Sequence, residues 1–207
     1  MKQVKWGIIG LGNIASKFAE GFQYTNNAKL FAISSRNENK LHTFKNRFQV
    51  DDNYCFTNYS SLLECEDLDI IYIALPHSLH HEWVIKSIEK GKNILVEKPA
   101  TVNFLQIENI KDNLEGKNIF FAEAFMYRYH PQISKVLDLL KNNAIGNLLS
   151  MESFFGFDAL GEKKIFGIKF KKKPNKNSRL YNKELGGGAI LDLGCYPVSM
   201  STLIAST

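Results

Sequence analysis

Cysteine is scarce in this sequence. Cys55, Cys65 and Cys195 are odd in number and stand at no metal-ligand spacing. Neither a disulfide framework nor a bound metal is therefore expected, and a reducing cytoplasm suits the chain. A signal peptide is missing as well: Met1-Lys2-Gln3-Val4 leads straight into a strand pattern, with no small-residue cleavage site. No uninterrupted apolar run approaches the ~18 residues of a membrane span. Repeats and low-complexity tracts are absent too. What these absences leave is a cytoplasmic globular protein with no membrane partner.

What is present is ordinary globular usage, 44% hydrophobic and 23% charged over 207 residues. That suffices for one good core, or for one domain and part of a second. The formal charge of +5 is local, because residues 158–183 hold nine Lys or Arg against two acids. Such a run reads as a solvated loop. Its functional alternative is attraction of an anionic cofactor or substrate, ahead of nucleic acid.

Along residues 1–124, apolar runs alternate with helical patterns, as in a parallel sheet with crossover helices. Val4 to Ile9, Leu30 to Ser34, Asp69 to Ala74, "GKNILVEKP" and 118–123 read as strands. Helices are expected over 14–24, through Leu41, Phe44 and Phe48, over 78–89 and over 103–114. Residues 125–207 break the pattern. A helix follows "HPQ", with Ile133, Val136, Leu137 and Leu140 on its buried face. A strand over 148–157, a basic loop without periodicity, and a helix starting near Gly186–Gly188 complete the chain. The fold class is α/β: a doubly wound Rossmann domain, then the beginning of an open mixed-sheet α+β domain that looks incomplete.

Between the first strand and the first helix stands Gly10-Leu11-Gly12-Asn13-Ile14-Ala15, a G-x-G-x-x-A. Gly10 allows the tight turn, and Gly12 lets a pyrophosphate approach the backbone. Ala15 keeps the helix near the strand, while the N–H groups at Asn13 and Ile14 open the helix toward the anion. At the end of the second strand an acid would bind a ribose 2′-hydroxyl. Ser35 and Arg36 stand there instead, which suits a 2′-phosphate. NADP is therefore expected ahead of NAD.

The stretch "ILVEKPATVN" places Glu97 and Lys98 at the end of an apolar strand, where charges are seldom found without partners. Five ordered segments, namely the glycine turn, "ALPHSLHHEW", "GKNILVEKPA", "EAFMYRYHPQ" and "LGGGAILDLGCYP", make the sequence resemble the Gfo/Idh/MocA oxidoreductases. It looks closest to their dihydrodiol dehydrogenase and D-xylose dehydrogenase-like members. The resemblance implies that Lys98 lies beside the nicotinamide and the substrate hydroxyl, with Pro99 aiming it and Glu97 meeting cofactor or backbone. Asp192 and Tyr196, four apart on one helical face, would be the orienting carboxylate and the acid/base. Pro76 and His80 would contact the cofactor, and Tyr127, Arg128 and His130 would wall the substrate cleft.

The implied reaction is NADP-linked hydride transfer at a hydroxyl or carbonyl carbon of a sugar or cyclic diol. No metal and no nucleic acid are called for, and a homo-oligomer is expected through the second domain's sheet if that sheet is completed. The alternative is a shortened nucleotide-binding remnant, or a regulatory protein without turnover.

Overall fold

In the computed structural model the described residues are 3–158, 161–165, 168–171, 175, 178 and 180–206. The chain divides into two compact units, Met1–Ala124 and Phe125–Thr207.

The first unit alternates as its hydrophobic pattern requires. Its strands are β1 (Val4–Ile9), β2 (Ala28–Ser34), β3 (Cys55–Phe56), β4 (Ile70–Ile73), β5 (Asn93–Val96) and β6 (Phe121–Glu123). The helices between them are α1 (Asn13–Glu20), α2 (Glu38–Phe48), α3 (Tyr59–Leu63), α4 (His77–Glu89) and α5 (Phe104–Leu114). All strands pair in parallel, in the order β3-β2-β1-β4-β5-β6. The order reverses direction between β1 and β4, the crevice where open α/β sheets take their ligands.

Two cores explain the burial. Ile8, Ile33 and Tyr72 pack under α1 and α2 with Ala15 and Phe44. Ile9, Ile71, Ile73, Ile94 and Val96 pack on the other face against Trp83, Val84 and Ile110. Every residue of β4 is buried, as a central strand covered by helices on both sides should be. Each fully buried aliphatic side chain contributes roughly 1.5–3 kcal/mol. Asn37, Asn58 and Asn103 cap α2, α3 and α5 by accepting from Lys40, Ser61 and Gln106 N–H groups. Helix α1 differs, opening at Gly12 with no side-chain cap. The expected first helix stops at Glu20 and tightens into a 3₁₀ turn over Gly21–Tyr24. Strand β3 and helix α3 were not legible, since two and five residues show no period.

The second unit holds a 3₁₀ turn (Met126–Tyr129), α6 (Pro131–Lys141), the antiparallel pair β7 (Glu162–Ile165) and β8 (Ile168–Lys171), and α7 (Cys195–Ala205). Three expectations need correction. The basic loop contains the β7–β8 pair, because a two-residue link lets adjacent short segments ladder with each other; Lys172, Lys173, Lys176 and Arg179 lie outside the described residues. Residues 148–157 form no strand. A strand exists only with a ladder partner, and none of the described residues supplies one. Leu149 and Phe154 in that segment are 94% and 92% exposed. Ile133, Val136, Leu137 and Leu140 do share the shielded face of α6 but are only half-buried.

The glycine-led helix begins with a 3₁₀ turn (Lys183–Leu185) and a π turn (Ile190–Gly194) before α7. By length and composition alone, Lys183–Ala205 is, among the described residues, a helical stretch apolar enough to cross a membrane, although it is not an uninterrupted apolar run. Asp192 interrupts it near its middle.

Candidate active site

Because the sheet is parallel, the turns after β1, β2, β4 and β5 all emerge at one edge. Gly10, Ser35, Pro76 and Lys98 are the residues those turns deliver. A cleft of about 330 Å³ is lined there by Gly10, Gly12, Ser35, Arg36, Lys40 and Pro76. A larger cleft, about 690 Å³, lies beside the strand starts at Gln3 and Ala28. It gathers none of the strand-end groups.

The two motif glycines do different work. Gly10 has φ +90, and a Cβ there would stand 2.6 Å from the Ala74 carbonyl oxygen. Only glycine fits. At Gly12 a Cβ would meet nothing within 4 Å, so the space beside it is open for a ligand rather than needed by the protein. The uncapped start of α1 at Asn13 and Ile14 adjoins that space, and Ala15 is fully buried against the sheet. This is a cradle into which a pyrophosphate fits.

Ser35 is buried, and its Oγ accepts a hydrogen bond from Asn37 N–H at 3.1 Å. Arg36 is exposed, with its guanidinium over the Tyr59 ring at 5.4 Å. Stacking fixes the plane of the guanidinium and leaves its N–H fork for an anion. Lys40, one turn into α2, lines the same cleft. The sequence reading missed Lys40 and Tyr59. The basic residue five positions after Ser35 was the available signal.

The loop carrying Lys98 is fastened at several points. Glu97 N–H donates to Ile73 O at 2.9 Å, prolonging the ladder past β5. The Tyr72 hydroxyl donates to Glu97 Oε1 at 2.5 Å. Burial, then the neighbouring carboxylate, holds this phenol well above its ordinary range, so it stays a donor. Ala100 N–H donates to Glu123 Oε1 at 2.7 Å. Lys98 is half-buried and the Lys98–Pro99 peptide is cis. Tyr72 and Glu123 were overlooked in the sequence, although a tyrosine in "IIYI" and an acid ending "NIFFAE" both demand partners.

His80 corrects an expectation. It is fully buried, with Nδ1 2.7 Å from the Pro99 carbonyl oxygen and Nε2 2.8 Å from that of Leu75. Both nitrogens are occupied by backbone, so direct contact with a cofactor is closed to it. Burial, above all, pushes its pKa down.

In the second unit Tyr196 stands at the start of α7, its ring 5.1 Å from Phe155, 5.5 Å from Phe125 and 6.0 Å from Tyr127. The Tyr127, Phe155 and Tyr196 rings, with Met126 and Met200, border a cleft of about 380 Å³. Asp192 is buried within the π turn, a feature often found at functional sites. The polar ends of Tyr127 and Arg128 are committed differently than expected. Tyr127 OH donates to Ser199 Oγ at 2.8 Å, and Arg128 Nη2 donates to the same oxygen at 2.8 Å. Both brace the 3₁₀ turn to α7, and only the Tyr127 ring remains for a ligand. His130 caps α6, accepting from Gln132 N–H at 3.2 Å. It is a helix cap rather than a cleft wall. The glycine turn, Ser35, Arg36 and Lys98 thus converge within the first unit, while Asp192 and Tyr196 lie four residues apart within the second.

The family described as "Oxidoreductase family, NAD-binding Rossmann fold" matches residues 4–125, and the "GFO/IDH/MocA C-terminal domain" matches 133–206. Trans-1,2-dihydrobenzene-1,2-diol dehydrogenase of Xenopus tropicalis is 31% identical over 97% of this chain and 56% of its own length. D-xylose 1-dehydrogenase (NADP(+)) 2 of Haloferax volcanii is 29% identical over 98% of this chain and 57% of its own. The crystal structure of KijD10, a 3-ketoreductase from Actinomadura kijaniata in complex with NADP and TDP-benzene, superimposes with a TM-score of 0.75. It is 27% identical, over 99% of this chain and 58% of that one. The chain therefore spans a little over half the length of the curated relatives it matches.

Proposed function

Because the chain belongs to the Gfo/Idh/MocA oxidoreductase family, we propose that it moves hydride between NADP and a hydroxyl or carbonyl carbon of a sugar or cyclic diol. The observation that carries this reading is the convergence of a nucleotide cradle and a braced lysine at one edge of the sheet, beside the β1/β4 crevice. Gly10, Gly12 and the start of α1 would hold the pyrophosphate. Ser35, Arg36 and Lys40 would hold the 2′-phosphate, which supports NADP over NAD. The NADP in the name of the Haloferax dehydrogenase and in the complex of the Actinomadura ketoreductase supports the same choice.

Bound there, the nicotinamide supplies the hydride acceptor or donor. The chain's own task is then to manage one proton and one oxygen. In this reading Tyr196, as the phenolate, accepts the substrate hydroxyl proton in the oxidative direction, and as the phenol returns it in the reductive one. A phenol at neutral pH needs a nearby cation to ionise. Lys98 would be that cation, and it would also steady the charge on the reacting oxygen. Asp192, buried one turn before Tyr196, would orient the substrate hydroxyls. The aromatic rings and methionines around Tyr196 favour a substrate with one apolar face, as a sugar ring or a cyclic diol presents.

The test is a steady-state screen of the purified chain with NADP against aldoses and trans-dihydrodiols, read as NADPH formation. Turnover with a member of either class supports the proposal. Tight NADPH binding without turnover across the panel would favour the remnant or regulatory reading.

A further inference from the structure

We propose that His80 is a positioning residue for Lys98: from α4 it holds the Pro99 carbonyl in the turn after β5 and thereby fixes the lysine at the cleft. The proposal rests on the oxidoreductase reading for its kinetic consequence, though not for its geometry. His80 belongs to α4 and is fully buried. Its ring bridges two carbonyls that are 24 residues apart in the chain, Leu75 at 2.8 Å and Pro99 at 2.7 Å. Leu75 lines the nucleotide cleft, and Pro99 directly follows Lys98.

The second grip on the loop sharpens the point. The Pro99 carbonyl and the Ala100 N–H belong to the same peptide unit. His80 holds the carbonyl, and Glu123 Oε1 accepts from the N–H at 2.7 Å. With both ends held, that peptide plane cannot rotate, and the residue just before it inherits a fixed backbone direction. A lysine side chain has four rotatable bonds, so aiming it depends on anchoring the backbone from which it springs.

A neutral imidazole carries one N–H, so only one of the two carbonyls receives a proton. We assign it to Nδ1, which makes the shorter contact, with Pro99. Burial, with the His77 ring and the Lys98 ammonium near by, opposes a second proton. In this tautomer the one hydrogen bond, from Nδ1–H to the Pro99 carbonyl, runs to the loop that carries Lys98, and Nε2 only abuts the Leu75 carbonyl.

The experiment compares His80→Asn, His80→Gln and His80→Ala in the full 207-residue chain. An asparagine amide can reproduce a donor at the Nδ1 position, while glutamine places its amide near Nε2. The first readout needs no turnover. It is acylation of Lys98 by limiting acetic anhydride, quantified by mass spectrometry against the exposed Lys111. The second is kcat and KM with NADP and whichever sugar or diol the unaltered chain oxidises.

His80→Gln and His80→Ala are expected to change the Lys98/Lys111 labelling ratio about threefold or more. They should also lower kcat about tenfold or more with NADP affinity held within about threefold, the pattern of a misplaced group rather than a lost binding site. His80→Asn should stay near the starting protein in both. Equal behaviour of the Asn and Gln variants, or an unchanged labelling ratio in all three, would overturn the proposal. The Asn/Gln comparison decides the matter even where His80→Ala does not fold. Absence of turnover in the unaltered chain would sink the oxidoreductase reading, while the labelling readout would still judge His80.

Discussion

At the scale of single residues, charge placement determines what the cleft accepts. Arg36 holds its guanidinium over the Tyr59 ring and lines the cleft, so its loss should be felt by a phosphate and scarcely by a hydroxyl. Arg36→Ala is expected to weaken NADPH binding about tenfold or more, leaving NADH within about threefold, in a fluorescence titration. Lys98→Met should lower kcat about a hundredfold or more while cofactor binding remains measurable, the scale for losing an acid–base partner; unchanged turnover would remove Lys98 from the chemistry. His80 makes a prediction about pH. Its folded pKa lies below the ordinary histidine value, so the unfolded chain binds the extra proton first. Stability should then fall as pH drops below about 6.5, until the folded ring titrates as well. Denaturation at pH 7.5 and 5.5 should show a larger loss for the unaltered chain than for His80→Asn.

At the scale of elements, the β1–α1 turn separates folding from binding. Gly10→Ala forces a Cβ to within 2.6 Å of a carbonyl at φ +90, and should cost about 2 kcal/mol or more of stability in chemical denaturation. Gly12→Ala places its Cβ within 4 Å of no atom of the chain and has ordinary extended backbone, so its stability should change little while NADPH binding is weakened. Equal damage to stability from both substitutions would contradict the cradle. The elements that were legible in the sequence share one property, a period long enough to count. The strand "IIYI" and the helices α2, α4 and α5 all announced themselves through burial pattern or cap. Strand β3 has two residues and no pattern to read. Residues 148–157 show the opposite failure, carrying a strand's composition without the neighbour that makes a ladder. For the site, the backbone motifs at Gly10–Ala15 and Glu97–Pro99 could be seen. The braces Tyr72, His80 and Glu123 could not be placed, because each acts across 19 or more residues of chain.

At the scale of the whole molecule, each unit carries a different part of the proposed chemistry. The first unit supplies the cradle, the 2′-phosphate residues and the lysine; the second supplies Tyr196, Asp192 and the aromatic cleft. The net charge of +5 gathers in residues 158–183, away from the glycine turn in sequence. If that segment attracted nucleic acid, binding would fall steeply with salt. The exposed Leu149, Phe154 and Phe157 make an apolar surface of the kind that marks association. None of this matters if the first unit does not hold its nucleotide. The decisive measurement is a fluorescence titration of the 207-residue chain with NADPH and, separately, NADH. Saturable NADPH binding at least about tenfold tighter than NADH is the expected result, on the strength of a bidentate arginine–phosphate contact. Equal affinity for the two would remove Arg36 and Ser35 from cofactor choice, and no binding of either would contradict the nucleotide cleft itself.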